Sequence, residues 1–349
     1  MQRTTITLTS PGMTLAVDSR SFTLRRKGRK ISSIPSAMID NIIIYPEVEV
    51  TRKAMETLAT LGIPVTFIKK NGCIAARLTP PWRSLPAPRI EQSRIFLDPK
   101  LSLLLAKRQI DAKIANSAAF MRQHADNHPN PKLRETATQL YAFRKQVANA
   151  TDTASLFGYE GIAAKTYFSS FSEMLRIDWT TFTQRTRRPP TDPVNSLLSY
   201  IYAALTQKIH SNIEANELDP YISYLHNPEY RRPSLALDLM EPFRAIIADR
   251  LTLRLLNLGI LREEHFEKAH FMRNDIRITW PGREEILKAA AQWIGSCSHD
   301  FGKELNSPHY LLEKEIERYA QSAKAGNLAN YQPYYLNEKD AQQCPALEP

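Results

Sequence analysis

The stretch TRKAMETLATLGIPVTFIKKNGCIAARLTPPWRSLPAPR, residues 51–89, changes its pattern three times, and those changes divide the chain. From Thr51, the spacing of Met55, Leu58 and Leu61 makes one helical face, and Gly62 is its stop. Val65-Thr66-Phe67 then returns to strand-like alternation. Finally, TPPWRSLPAPR holds four prolines, which remove backbone donors and favour extended chain. Upstream, the short runs TTITLTS, MTLAV, FTLRR and NIIIY alternate between turn residues and read as strands. Downstream the period becomes helical: Ile110, Ile114, Ala118 and Met121 form one stripe, and Leu197, Ile201 and Leu205 another. The expected fold class is α+β, with an N-terminal β-sheet domain carrying one helix over residues 1–79. A Pro-rich linker over 80–90, a larger all-α domain over 91–335 and a ragged, poorly packed tail over 336–349 follow. No internal repeat or heptad run occurs, which removes solenoids and coiled coils.

Composition narrows the function. With 349 residues, 43% hydrophobic and 23% charged, the chain is neither a disordered tail nor a membrane protein. No apolar run approaches the roughly 20 residues that span a bilayer, and the N-terminus lacks the apolar centre of a signal peptide. Cys73, Cys297 and Cys344 are odd in number and far apart, so a disulfide framework is not expected and a reducing cytoplasm is. The 11 glycines form neither a GxxxxGK[ST] nor a GxGxxG loop, which argues against ATPases and dehydrogenases. Lys and Arg number 46 against 36 Asp and Glu, a net charge of +10 that favours a polyanionic partner.

Two segments carry the candidate chemistry. In GYEGIAAKTYFSSF, residues 158–171, a helix puts Glu160 on one face with Ala163, Ala164, Tyr167, Phe168 and Phe171. A carboxylate on an apolar stripe needs a positive partner, unless Glu160 sits in an exposed first turn where the helix dipole favours it. In YLHNPEYRRPSLALDLMEPFR, residues 224–244, Pro233-Ser234 starts a helix and Asp238 and Glu241 share a face at i and i+3. Pro242 cannot donate to the Asp238 carbonyl, so a kink is expected beside the pair. The competing view is a solvated face with an Arg244 ion pair and His226 as a loop residue. Brought together, one Glu, one His and a carboxylate pair suit Mg²⁺ or Mn²⁺. Zinc suits them less, with no Cys nearby, and the His124/His128 pair in HADNH lacks the Glu of HExxH and reads as a helix end. Lys165, Arg185, Arg187, Arg188, Arg231 and Arg232 flank these segments and are either a phosphate-binding rim or ordinary surface. The run Arg25-Arg26-Lys27-Gly28-Arg29-Lys30 reads as a charged hairpin tip, which either touches nucleic acid or keeps an edge soluble.

GYEGIAAKTYFSSF, RRPPTDPVNSLLSYIYAAL and YLHNPEYRRPSLALDLMEPFR resemble, in order and spacing, three signature blocks of the CRISPR-associated integrase/endonuclease family, Cas-one. SIPSAMIDNIIIYPEVEVTRKAMETLATLGIPVTFIKKNGCIAARL resembles its N-terminal domain, and NDIRITWPGREEI with NYQPYYL its C-terminal end, so the likeness covers nearly the whole chain. One departure is the proline-rich TPPWRSLPAP, where the family often has a glycine-rich turn. The resemblance implies a β domain that mediates homodimerisation and a helical catalytic domain that binds a divalent ion and acts on DNA. Block by block, it implies Glu160, His226 and Glu241 as metal ligands and Asp238 as an additional acidic position of variable role. It also implies Arg187, Arg188 and Asn195 on the DNA-facing side, with Lys165, Arg231, Arg232 and Arg244 as further candidate DNA contacts. The expected reaction is attack of a DNA 3′-hydroxyl on a target phosphodiester during spacer acquisition, with no covalent enzyme intermediate. The expected partners are DNA, a second copy of the chain and the small CRISPR-associated protein Cas-two. The alternatives are a branched-DNA repair nuclease with the same metal site and a non-enzymatic nucleic-acid-binding scaffold.

Overall fold

Thr51 Oγ1 accepts a hydrogen bond from the Ala54 amide at 3.2 Å, and Gly62, at φ +76°, ends the helix between them, α1 (Arg52–Leu61). Both ends of this helix are therefore set by local chemistry. Its inward stripe is Ala54 and Leu58, both fully buried, whereas Leu61 stays half exposed. The computed structural model describes residues 4–19, 21–69, 74–78, 86–227, 232–269, 275–298, 301 and 306–342. The chain divides into two units, Met1–Leu85 and Pro86–Pro349.

Around α1, the first unit holds β1 (Thr4–Leu8), β2 (Met13–Asp18), β3 (Ser21–Arg26), β4 (Arg29–Pro35), β5 (Ile39–Ile44), β6 (Val48–Val50), β7 (Val65–Ile68) and β8 (Ile74–Leu78). They form two four-stranded sheets, in the orders β1-β5-β7-β8 and β4-β3-β2-β6. Leu15, Phe22, Ile42, Ile44, Leu58 and Val65 meet in one core, each contributing about 1.5–3 kcal/mol by leaving water. Strand β4 has no apolar alternation and is almost wholly exposed, so its pairing with β3 rests on the turn at Lys27 and Gly28, both at positive φ.

The second unit is mainly helical, with α2 (Ala87–Leu97), α3 (Pro99–Asn127), α4 (Pro131–Ala148), α5 (Thr153–Ser169), α6 (Pro193–Ala215), α7 (Ser234–Met240), α8 (Arg250–Asn257), α9 (Trp280–Gly295), α10 (Pro308–Lys324) and α11 (Glu338–Gln342). Three local expectations are corrected. Helix α2 begins inside the expected linker, because Pro88 lies in the first turn where a missing N–H costs nothing. The region also contains a two-stranded antiparallel sheet, β9 (Phe266–Lys268) with β10 (Ile276–Ile278). The tail is packed as far as Ala341: Leu336 and Asp340 are buried, and Arg144 donates to Asp340 Oδ1 at 3.3 Å and to its carbonyl at 2.7 Å. A polar anchor, rather than an apolar pattern, holds that segment.

Helix α3 is the axis of this unit. Ile110, Ile114, Ala118 and Met121 are fully buried, as their spacing predicts, and so are Leu197, Ile201 and Leu205 on α6. Polar residues turn inward on α3 as well: Gln109 and Asn116 are buried, Lys113 is partly buried, and the three form a ladder against the chain from Asp238 to Pro242. Gln109 donates to the Asp238 carbonyl at 2.6 Å and Asn116 to the Pro242 carbonyl at 2.8 Å. Among the described residues, no helix is long and apolar enough to cross a membrane.

Candidate functional site

Lys113 is the middle rung of that ladder. Its Nζ lies 2.5 Å from Glu160 Oε1 and 2.7 Å from Glu241 Oε2, so two carboxylates distant in sequence share one ammonium. Helix α5 starts at Thr153, capped by the Asp152 capping box, five residues before the Gly158 where the sequence pattern begins. Glu160 therefore sits two turns into the helix with a side chain 19% exposed, and the exposed first-turn alternative is set aside. On the other strand of the ladder, Pro242 ends α7 at Met240, a 3₁₀ turn covers Glu241–Phe243, and a π-helical segment spans Arg244–Asp249. The expected kink is real, and it turns Glu241 toward Lys113.

Arg244 donates from Nε to Glu241 Oε2 at 2.8 Å, and its guanidinium lies 4.8 Å from the centre of the Tyr202 ring. Burial raises the Glu241 pKa, but Arg244, Lys113 and His226 together hold it well below the usual carboxylate range. Burial likewise depresses Lys113, yet Glu160 and Glu241 outweigh it and leave the ammonium above the ordinary lysine value. Both groups stay charged at neutral pH.

His226 stands over the same corner. Its Nδ1 faces Asp238 Oδ1 at 2.7 Å, and its Nε2 lies 3.9 Å from Glu241 Oε1. Asp238 is fully buried: Oδ1 also accepts from the His226 amide, and Oδ2 accepts from the Tyr224 and Leu225 amides, all at 3.0 Å. Both of its oxygens are thus engaged in shaping the 224–226 turn and orienting the imidazole. Asp238 stands behind His226, its oxygens already taken by three amides and the imidazole.

The donor set fits a hard divalent ion. A carboxylate behind a histidine, fixing Nδ1 and leaving Nε2 outward, is the usual support of a metal-binding imidazole. Octahedral donors at about 2.1 Å stand about 3.0 Å apart when adjacent, so the 3.9 Å from Nε2 to Glu241 would have to close by about 1 Å for the two to bind one ion side by side. The two glutamates already gather around a positive charge. Among the described residues, no three His, Cys, Asp or Glu side chains form a closed cage as they stand, because Lys113 lies between Glu160 and Glu241.

Beside Glu160 and Lys113 opens a cavity that Arg187, Tyr202, Arg244 and Asp249 also line. Of the candidate DNA contacts, Arg187 and Arg188 are exposed. Lys165 is exposed too, but five residues past Glu160 it lies about 140° round the helix and does not reach the carboxylates. Arg244 is an ion-pair partner of Glu241, not a free surface cation. Asn195 is fully buried: its Oδ1 accepts from Arg185 and the Thr186 amide, and its Nδ2 donates to Gln184 and Asp192, so it shapes the 184–186 loop and does not face outward. Arg232 is partly buried, and Arg231 lies outside the described residues. Lys113 itself is not among the sequence candidates. Its signal was a charge on the helix between the buried positions Ala112 and Ile114, beside Gln109 and Asn116 at i−4 and i+3.

The family model described as "CRISPR associated protein Cas1" matches residues 6–292. The "CRISPR-associated endonuclease Cas1 3" of Thermus thermophilus is 33% identical over 317 residues, covering 89% of this chain and 90% of that protein. Among solved structures, a casposase bound to integration product superposes with a TM-score of 0.74 at 21% identity, covering 98% of each chain. A Cas6-RT-Cas1–Cas2 complex also gives 0.74 at 21% identity, over 95% of this chain and 36% of that one. At such identities the structures speak for the fold, and the family model and the Thermus relative speak for kinship: the chain belongs to the CRISPR-associated Cas1 family.

Proposed function

We propose that this protein is a divalent-metal-dependent DNA endonuclease and integrase of CRISPR spacer acquisition, with its reaction centre at Glu160, His226 and Glu241. One observation carries the reading: three donor side chains from α5, the 224–227 turn and the 3₁₀ turn after α7 converge on one buried corner, around a cation, beside a cavity rimmed by arginine. Family membership supports it, as do the endonuclease name of the Thermus relative and the integration product held by the casposase.

Glu160, His226 and Glu241 would hold Mg²⁺ or Mn²⁺, which when bound supplies Lewis acidity to a phosphoryl oxygen. The remaining work falls to the chain. Asp238 keeps the His226 ring oriented, and Lys113 and Arg244 offset negative charge gathering near the phosphorus. Arg187 and Arg188 grip backbone phosphates without reading sequence, and the nucleophile is the 3′-hydroxyl of the incoming strand. For partners, the reading takes DNA, a second copy joined through the β domain, and Cas2, as in the complex with the matching fold. Two strand transfers at separated positions need two such centres held apart, and two-fold pairing is the commonest way to hold them.

The test is Mn²⁺-dependent cleavage and end-joining of DNA by the purified chain and by Glu160→Ala, His226→Ala and Glu241→Ala. Each variant should lose both activities while melting like the parent. Wild-type rates in Glu160→Ala would refute the assignment, and cleavage without joining would favour a repair nuclease.

A further inference from the structure

Among the described residues, Asp249 is the one carboxylate lining the cavity that the proposed ligand set leaves out. It closes the π-helical segment Arg244–Asp249 and is fully buried. Its Oδ1 accepts from the Tyr202 hydroxyl at 2.7 Å and its Oδ2 from the Tyr167 hydroxyl at 2.9 Å. An apolar residue would fill this space without the desolvation that a buried carboxylate suffers, so packing alone does not account for an Asp here. The wide π turn is a second irregularity of a kind found most often at functional sites.

What the two hydroxyls belong to is informative. Tyr167 lies seven residues after Glu160 on α5, two turns along the same face, so its bond to Asp249 sets the rotation and height of the helix that carries Glu160. Tyr202 stands on α6 with two guanidinium groups against its ring, Arg185 at 5.4 Å and Arg244 at 4.8 Å from its centre. Arg244 in turn donates to Glu241. One buried carboxylate thus ends two chains of contact, and each chain leads to a different glutamate of the reaction centre.

We propose that Asp249 is a positioning residue that braces Glu160, through Tyr167, and Glu241, through Tyr202 and Arg244, at the separation a divalent ion requires. The proposal rests on the metal reading above, and its test separates the two. Mn²⁺ binding to the purified full chain is measured directly from the electron paramagnetic resonance signal of the free ion, with thermal melts recorded on the same samples. Tyr167→Phe and Tyr202→Phe keep the rings, including the one the two arginines pack against, and remove only the hydroxyls. Asp249→Asn keeps the volume.

Each variant should raise the Mn²⁺ dissociation constant about three- to tenfold, less than the 10–100-fold typical when a direct partner of a ligand is lost. The melts should stay cooperative. Adding Tyr167→Phe to Asp249→Asn should weaken binding no further, because both changes cut the same brace. Unchanged affinity in the single variants, full additivity in the double, or loss of affinity together with loss of the cooperative melt would overturn the proposal. Glu160→Ala is the control: if it binds Mn²⁺ like the parent, the metal reading itself fails, whereas loss in Glu160→Ala with parental binding in both Tyr→Phe variants sinks only the brace.

Discussion

Asp111 and Lys113 stand two residues apart on α3 and face roughly opposite sides of it, and each is the centre of a charged cluster. Asp111 takes Arg144 through both oxygens at 2.8 Å, Tyr335 adds its hydroxyl at 2.8 Å, and Arg144 reaches on to Asp340. Asp111 is fully buried, Arg144 and Asp340 nearly so, and each oxygen of Asp111 has a donor. Around Lys113 the charges are arranged differently. Glu160 accepts one hydrogen bond among the described residues, Glu241 Oε1 meets only a distant imidazole, and the cluster borders a cavity. The contrast separates a structural knot from the proposed site when both are ionic: the knot is closed and satisfied, and the proposed site keeps acceptors in reserve.

The comparison can be broken at either end. Asp111→Ala leaves Arg144 buried without its main partner and should cost about 3–5 kcal/mol of stability. Its cleavage rate per folded molecule should not change; denaturant melts and rate assays on one sample would show a misassigned knot if the rate fell first. Glu160→Gln should do the reverse, losing at least about 100-fold in metal-dependent cleavage while the melting midpoint scarcely moves.

Lys113→Met sharpens the contrast, since it removes the ammonium between Glu160 and Glu241. The metal-free protein should lose about 3 kcal/mol, and Mn²⁺ should raise its melting temperature by more than it raises the parent's. Equal shifts in the two proteins would mean that Lys113 and the ion do not share the carboxylates.

A subtler difference is pH-dependent. Burial pushes the Asp249 carboxyl up to about 6, although Tyr202, Tyr167, Arg185 and Arg244 pull the other way. A folded pKa above the unfolded one means that the folded state holds the extra proton between pH about 4 and 6, so this group's contribution to stability falls as pH rises through that window. Asp249→Asn does not titrate, and its melting temperature relative to the parent should climb from pH 4 to 6.5. A pH-independent gap would contradict the assignment.

The smallest effect expected is at the rim. Arg187→Ala and Arg188→Ala should weaken DNA binding evenly across sequences, each lowering the slope of log K against log salt by about 0.9 if it meets a phosphate. An unaltered slope would remove that arginine from the interface.

By itself, the sequence determined where strands give way to helices, because alternation and 3.6-residue spacing are properties of neighbouring residues: α1 between Thr51 and Gly62, the buried stripe from Ile110 to Met121, and the kink at Pro242 were all legible. It also marked Glu160, His226 and Glu241 as the residues to watch. Tertiary structure alone decided what those residues meet. Lys113 is 47 residues from Glu160 and 128 from Glu241, and no local pattern encodes a contact over such distances. Packing likewise set Asp238 behind His226, 12 residues away, and made Asn195 a buried knot of its loop, whereas the Arg244–Glu241 ion pair, at i and i+3, was one of the two readings the sequence offered. Periodicity tells which face of an element turns inward, but only the packing of α3, α5 and the turns after α6 and α7 chooses which charges share that interior.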